Sequence, residues 1–286
     1  MIAVVGAGTM GQGIAELALT SGFPVVLCDA LPEVLARAKE RIAANLARSV
    51  DKQRLSDAER AQALALLQVQ EVLAVAVANA ELVIEAAPEN LELKRELFAA
   101  IAVSAPLHTV LASNTSGLSI SAIASAVTGP ERVVGLHFFN PPQVNKLLEI
   151  VRGRATSDDT IARARQWGER MGREIIVVSD SPGFASSRLG VVLALEAIRM
   201  LDAGVASAED IDRAMVSGYR HHMGPLRTTD LVGLDVRLAI AQSLHARLGG
   251  AQYEPPGLLV RMVQEGKLGK KSGHGFYRWD ADSKLK

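Results

Sequence analysis

Ile2–Ala3–Val4–Val5–Gly6–Ala7–Gly8–Thr9–Met10–Gly11 stands at the start of the chain, and its reading decides the fold. A short apolar run of strand length leads straight into G-x-G-x-x-G, and a helical pattern over Met10–Ser21 starts at once. The next apolar run, Val25–Val26–Leu27–Cys28, closes on Asp29. Strand, glycine turn, helix, strand and acid at this spacing form the dinucleotide fingerprint. Gly6 permits the tight turn, Gly8 lets backbone amides approach a pyrophosphate, and Gly11 lets helix and strand pack closely. Thr9 and Met10 open the helix, whose N-terminus offers amides and partial positive charge to phosphate. Asp29 is placed to accept hydrogen bonds from both hydroxyls of an adenosine ribose. A 2′-phosphate there would meet a carboxylate, and Ala30 and Leu31 supply no compensating arginine. NAD is therefore expected in preference to NADP.

Outward from this unit the same alternation continues. Leu82–Glu85, Val110–Ser113 and Val133–His137 are further apolar runs, as expected of strands buried on both faces of a parallel sheet. Helical patterns over Leu31–Ser49, from Ser56 to about Leu67, and over Leu91–Val103 lie between them, the second opening on the capping box Ser56–Asp57–Ala58–Glu59. Alternation of this kind predicts a doubly wound, Rossmann-type α/β sheet. After Ile175–Val178 the turn-rich joint Ser179–Asp180–Ser181–Pro182–Gly183 ends the pattern. Helices are expected over 184–203, 208–217, 226–247 and 256–265. The division expected is a nucleotide-binding domain over 1–180 and a smaller all-helical domain over 181–286.

Composition narrows the function. Of 286 residues 49% are apolar and 22% charged, which is globular. Lysine plus arginine equals aspartate plus glutamate at 31 each, so nothing in the charge asks for nucleic acid or a membrane surface. One cysteine, Cys28, allows no internal disulfide, and no metal site is expected. No apolar run reaches bilayer length and no secretory leader is visible, so a soluble, cytoplasmic protein is expected.

Ligands of open α/β sheets bind beyond the carboxyl ends of the strands. That selects the loops Ala86–Asn90, Asn114–Ser116 and Phe138–Pro141, each unusually polar for its position. His137 is the one histidine of six at a strand's carboxyl end in the α/β half. A lone histidine is as often structural, but Leu147–Leu148–Glu149–Ile150 buries a carboxylate in an apolar run, and such a charge wants a partner. An imidazole–carboxylate pair is what general acid–base chemistry needs. Beside a nicotinamide, its use is proton exchange with an alcohol as hydride leaves carbon.

Seven pieces in order now bear on kinship. They are Gly6–Gly11, Pro88–Glu89–Asn90, Ser113–Asn114–Thr115–Ser116, Gly135–Leu136–His137–Phe138–Phe139–Asn140–Pro141, Ser181–Pro182–Gly183–Phe184, Met223–Gly224–Pro225 and Gly269–Lys270–Lys271–Ser272–Gly273. With them the chain resembles short bacterial 3-hydroxyacyl-CoA dehydrogenases, including 3-hydroxybutyryl-CoA dehydrogenases, over essentially its whole length. The resemblance implies an NAD-dependent oxidation of (S)-3-hydroxyacyl-CoA in fatty acid metabolism, with His137 as catalytic base and Glu149 as its orienting partner. It implies that Ser116 hydrogen-bonds the substrate's 3-oxygen close to the nicotinamide. It also implies that Glu89, Lys94, Asn140 and Lys271 contact NAD and that the helical domain makes a homodimer. Within the basic stretch Arg37–Arg54, Lys52 matches a coenzyme A contact, and Asn45 matches a position held by a short polar residue.

One departure matters. Many members carry asparagine three residues after the phenylalanine of Pro–Gly–Phe, directed at the acyl substrate, where this chain has Ser187. A rival reading is oxidation of a free hydroxy acid, as in the gulonate dehydrogenase and lambda-crystallin branch, which tends to lack the His–Phe–Phe–Asn–Pro run. A non-catalytic dinucleotide binder is the other, and it has no use for His137, Glu149 and Ser116 together.

Overall fold

The computed structural model describes residues 1–280. β1 (Ile2–Val5) leads to α1 (Thr9–Thr20), and β2 (Val25–Cys28) to α2 (Pro32–Asp51) and α3 (Asp57–Ala65). β3 (Leu67–Gln70) leads to α4 (Leu73–Val77), β4 (Leu82–Glu85) to α5 (Leu91–Ser104), and β5 (Val110–Ser113) to α6 (Ile120–Ala124). β6 (Val133–Phe138), β7 (Leu147–Arg152), α7 (Asp158–Arg170) and β8 (Glu174–Ser179) complete this part. Among the described residues the strands form one eight-stranded sheet in the order β3-β2-β1-β4-β5-β6-β7-β8. β1 to β6 are parallel, β7 turns back antiparallel to β6, and β8 runs parallel to β7. The expected doubly wound sheet is present.

Its strands form where both faces are covered. Every residue of β1, β2, β4 and β5 is buried, which is why they read as unbroken apolar runs. The helices show one apolar stripe each: in α2, Leu35, Ala38, Ile42 and Leu46 are buried, while Arg37, Lys39, Arg41 and Arg48 face water. Side-chain caps start several of them. Ser56 and Glu59 close the expected capping box of α3, and Asn90 caps α5 through the amide of Leu93. β3 occupies the stretch where the third helical pattern was expected to end, so that helix stops at Ala65.

The chain divides into two compact units, Met1–Ser181 and the stretch from Pro182 onward. The second unit contains α8 (Ser186–Asp202), α9 (Ala208–Arg213), α10 (Pro225–Val232), α11 (Leu234–Leu248) and α12 (Gly257–Gln264). A π-helical turn over Ala214–Gly218 carries on from α9. Val191, Leu195, Ile198, Leu226, Leu234, Leu244 and Leu259 form its core. The single helix expected over 226–247 is two helices, because Gly233 takes φ +103°, a conformation no helix contains. No helix among the described residues is long and apolar enough to cross a membrane. Nor do the described residues contain a cluster of three or more histidine, cysteine or acidic side chains able to hold a metal ion.

Candidate active site

The β1–α1 turn depends on missing side chains. A Cβ at Gly11 would stand 1.8 Å from the carbonyl oxygen of Gly6, so α1 closes on the turn only because residue 11 is glycine, while a Cβ at Gly6 would stand 2.8 Å from the backbone of Ala86. A Cβ at Gly8 would meet nothing within 4 Å, which leaves its amide approachable from outside. Asp29 closes the turn from the neighbouring strand: its carboxylate accepts the amide of Ala7 at 2.8 Å and that of Leu31 at 3.1 Å. A carboxylate has about four acceptor positions, so two remain for ribose hydroxyls. Open space at Gly8, the start of α1 behind it and a half-buried acid beside it together fit a dinucleotide. Next to Asp29, Pro32, Leu35 and Ala36 face Val69 and Val72 across a pocket of about 390 Å³. This slot was missed because its far wall follows β3, a strand that does not show as an apolar run.

The candidate reacting groups lie where β4, β5 and β6 end. Register sets His137 of β6 directly opposite Glu149 of β7, and Nδ1 of the ring lies 2.7 Å from Oε2 of the carboxylate. Glu149 is fully buried and His137 nearly so. Since a carboxylate only accepts, Nδ1 carries the proton and Nε2 is the basic nitrogen of the neutral ring. Phe139 packs against the imidazole with ring centroids 4.3 Å apart. Asn114, at the end of β5, accepts the amide of Phe138 at 2.9 Å and so ties this loop to the histidine strand.

Glu89 governs the neighbouring loop. Its Oε1 accepts from the hydroxyl of Thr115 at 2.6 Å, the amide of Ser116 at 3.0 Å and the hydroxyl of Ser116 at 3.2 Å. Lys94 works from beneath. Its ammonium is fully buried and donates to Glu85 at 2.6 Å and to the carbonyl of Ala87 at 3.2 Å. The second oxygen of Glu85 accepts from Ser113 at 2.6 Å, and Lys94 also stands 3.6 Å from Glu89. The sequence reading placed Lys94 at the cofactor but did not foresee Glu85 or Ser113. A salt bridge between a strand end and a helix nine residues later leaves no periodic trace.

Met10, Ala87, Glu89, Asn114, Ser116, His137, Phe139 and Asn140 line one cavity of about 350 Å³. The structure thus brings together the glycine turn's Met10, the cofactor candidates Glu89 and Asn140, and the chemical candidates Ser116 and His137. Asn45 and Lys52 stand apart from this cavity on α2: Asn45 donates to Glu16 at 2.8 Å, and Lys52 is exposed at the helix end. Ser187 and Lys271 belong to the second unit. Ser187 lies in the first turn of α8, and Lys271 donates to Asp235 at 2.7 Å. Cys28 is buried, and burial pushes its thiol up to about 11, so it offers no nucleophile.

A sheet built this way, with a dinucleotide turn at one strand end and an oriented imidazole at another, defines a nicotinamide-nucleotide-dependent dehydrogenase. Comparison with known proteins gives the family. Residues 1–181 match the NAD binding domain of 3-hydroxyacyl-CoA dehydrogenase, and residues 183–279 match the C-terminal domain of the same enzyme. The chain belongs to the 3-hydroxyacyl-CoA dehydrogenase family. It is 42% identical to a probable 3-hydroxybutyryl-CoA dehydrogenase of Bacillus subtilis, over 98% of this chain and 97% of that one. It is 41% identical to a 3-hydroxyadipyl-CoA dehydrogenase of Escherichia coli, over 98% of this chain and 59% of that one. The crystal structure of an (S)-3-hydroxybutyryl-CoA dehydrogenase of Ralstonia eutropha superposes with a TM-score of 0.94 at 36% identity, covering 98% of both chains.

Proposed function

We propose that this enzyme interconverts (S)-3-hydroxyacyl-CoA and 3-oxoacyl-CoA with NAD, through His137, Glu149 and Ser116. The observation that carries the reading is the 2.7 Å His137–Glu149 pair, with His137 in one cavity with Ser116 and the dinucleotide turn's Met10.

The turn Gly6–Gly11 would hold the pyrophosphate, with Thr9 and Met10 at the helix start. Asp29 would hold the adenosine ribose, and the slot between Leu35 and Val69 the adenine. Glu89, Asn140 and Lys271 would contact the cofactor, and Lys94 would shape its site by holding the Ala87 carbonyl. NAD, when bound, supplies the hydride acceptor for C3 of the alcohol. Nε2 of His137 takes the proton of the 3-hydroxyl as the C3–H bond breaks, and returns it to the ketone oxygen in the reverse direction. Glu149 holds the ring in the tautomer that leaves Nε2 basic and offsets the positive charge the ring then carries. Ser116 donates to the substrate's 3-oxygen, its hydroxyl oriented by Glu89.

Lys52 and its exposed basic neighbours on α2 suit the phosphates of coenzyme A, and Asn45 stands on the same helix. Ser187 would face the acyl group. A homodimer formed through the helical unit, a cytoplasmic location and a place in fatty acid metabolism accompany this reading. The test is loss of NADH absorbance at 340 nm with acetoacetyl-CoA beside free acetoacetate. Turnover of the thioester supports the proposal; turnover of the free acid alone sinks it.

A further inference from the structure

Glu16 puts a carboxylate where α1 is otherwise apolar, among the buried residues Ile14, Ala15, Leu17, Ala18 and Leu19. It is 6% exposed, and desolvation holds its carboxyl above the ordinary range. Burying such a group costs stability unless its oxygens find donors, so the donors it accepts from define its role. One oxygen, Oε2, accepts from Asn45 of α2 and from Gln143, at 2.8 Å each. Gln143 belongs to the connection between β6 and β7, residues 139–146, which begins two residues after His137.

That connection is docked along α1 at three successive points. Met10 lines the cavity together with Phe139 and Asn140. Gly13, three residues on, receives Pro142: a Cβ there would stand 2.8 Å from Cδ of the buried proline, so the ring occupies the place of a side chain. Glu16, three residues further, binds Gln143. Residues three apart are neighbours on a helix surface, so Met10, Gly13 and Glu16 form one track. The connection is also closed on itself, because the carbonyl of Pro141 accepts the amides of Val144 and Asn145 at 3.0 Å each. Arg173, just before β8, donates to the carbonyls of Pro142 at 2.9 Å and Asn145 at 2.8 Å. A turn so cross-linked moves as a unit. A displacement at Gln143 then reaches Asn140 and Phe139, whose ring centroid lies 4.3 Å from that of the His137 imidazole.

We infer that Glu16 is a positioning residue for the reaction: by holding Gln143 it seats the 139–146 connection on α1 and so fixes Phe139 and Asn140 beside His137. This rests on the proposed function. Hydride and proton transfer must share one geometry, and a misplacement of about 1 Å can cost about a hundredfold in rate. α1 carries the dinucleotide turn at its start and the connection from the His137 strand along its length. One rigid element therefore sets the place of both reacting partners. Glu16 acts through Gln143 and not by contact with the reacting atoms.

The test is reduction of acetoacetyl-CoA by NADH at about pH 8, where two facing carboxylates repel. Turnover is counted per NADH-binding site by fluorescence titration, so an unfolded fraction does not enter. Gln143→Glu sets a second carboxylate against Glu16, and its kcat per site should fall about tenfold to a hundredfold while KM for NADH stays near wild type. Glu16→Gln still accepts from both amides and should keep kcat near wild type, whereas Glu16→Leu accepts from neither and should fall with Gln143→Glu. Combining Glu16→Gln with Gln143→Glu sets an amide against a carboxylate and should recover most of the loss. Hydrogen exchange over residues 139–146 reads the docking without turnover, faster in Gln143→Glu and slowed again in the double variant. Near-wild-type kcat per site or unchanged exchange in Gln143→Glu overturns the inference and leaves the proposed activity standing. A loss that the double variant does not recover overturns it as well. If the wild type reduces free acetoacetate and not the thioester, the proposed activity falls, and the same order of variants on the free acid upholds the inference.

Discussion

His137 and Glu149 face one another across the antiparallel β6–β7 pair, and the strand register alone brings Nδ1 and Oε2 to 2.7 Å. The candidate proton-exchanging group is thus held by a strand pair and not by a loop. His137→Gln should retain NAD binding and lose about 10²–10⁴-fold in turnover, the usual size of a general acid–base contribution. Glu149→Gln should be severely impaired too, because a neutral amide no longer offsets the charged ring. Steady-state kinetics at neutral pH with either variant near wild type would remove the pair from the chemistry.

Asp29 has two tasks, since the carboxylate that would meet the ribose also accepts the amide of Ala7 inside the glycine turn. NADH should exceed NADPH in kcat/KM by at least about tenfold, equivalent to about 1.4 kcal/mol. Equal efficiency with the two cofactors would contradict the role given to Asp29. Asp29→Ala should weaken NAD binding and the turn together, measured as a raised KM for NADH and a lowered melting temperature.

The buried Lys94–Glu85 pair makes the opposite kind of prediction, one about folding. Lys94→Met leaves Glu85 buried with its charge uncompensated, and breaking such a pair costs about 3–5 kcal/mol. Replacing both, as Lys94→Met with Glu85→Gln, should recover part of that loss, because the amide is neutral and can still accept from Ser113. Urea denaturation of the single and double variants measures the difference. Additive losses would mean that the pair does not act as a unit.

These two cases show what was legible. β1, β2, β4 and β5 could be bounded to the residue, because strands covered on both faces are apolar throughout. β3 could not: it sits at the sheet's edge, and its sequence, Leu67–Gln68–Val69–Gln70, is half exposed. α7 left too thin a signal, since only Ile161, Ala164, Trp167 and their small neighbours mark its buried face among many charges. The His137–Glu149 pair was readable because a carboxylate stood out in an apolar run. Lys94 with Glu85 was not, because its two members look like an ordinary strand end and an ordinary helix lysine until the fold buries them.

Glu16 gives a pH dependence with a definite sign. This buried residue of α1 accepts at 2.8 Å from Asn45 of α2 and at 2.8 Å from Gln143 of the loop between β6 and β7, with Arg48 nearby. Desolvation raises its carboxyl above the usual range despite the lowering effect of those hydrogen bonds. The folded state therefore holds this proton more tightly than the unfolded chain does. The associated stability is complete below the unfolded value and lost as pH rises through the folded one. Glu16→Gln keeps an acceptor for both amides and removes the titration, so its stability should fall less than that of the wild type as pH rises above the ordinary carboxylate range. Parallel pH profiles of unfolding free energy in the two proteins would contradict the assignment.

Ser187, in the first turn of α8, is where the chain departs from the pattern of the enzymes it resembles. If its hydroxyl contacts the acyl group, Ser187→Ala should cost about 0.5–1.5 kcal/mol in transition-state stabilisation, the worth of one hydrogen bond. Ser187→Asn should be tolerated, because an amide at this position is usual in the resembling enzymes, and it should shift the preference among acyl chain lengths. The competing role is local, since serine at a helix start commonly bonds to nearby backbone. That role would show in melting temperature but not in selectivity among substrates. Kinetics of both variants across a series of 3-oxoacyl-CoA lengths separates the two. Unchanged kcat/KM for every substrate in both variants would confine Ser187 to the helix start and leave His137, Glu149 and Ser116 to carry the chemistry without it.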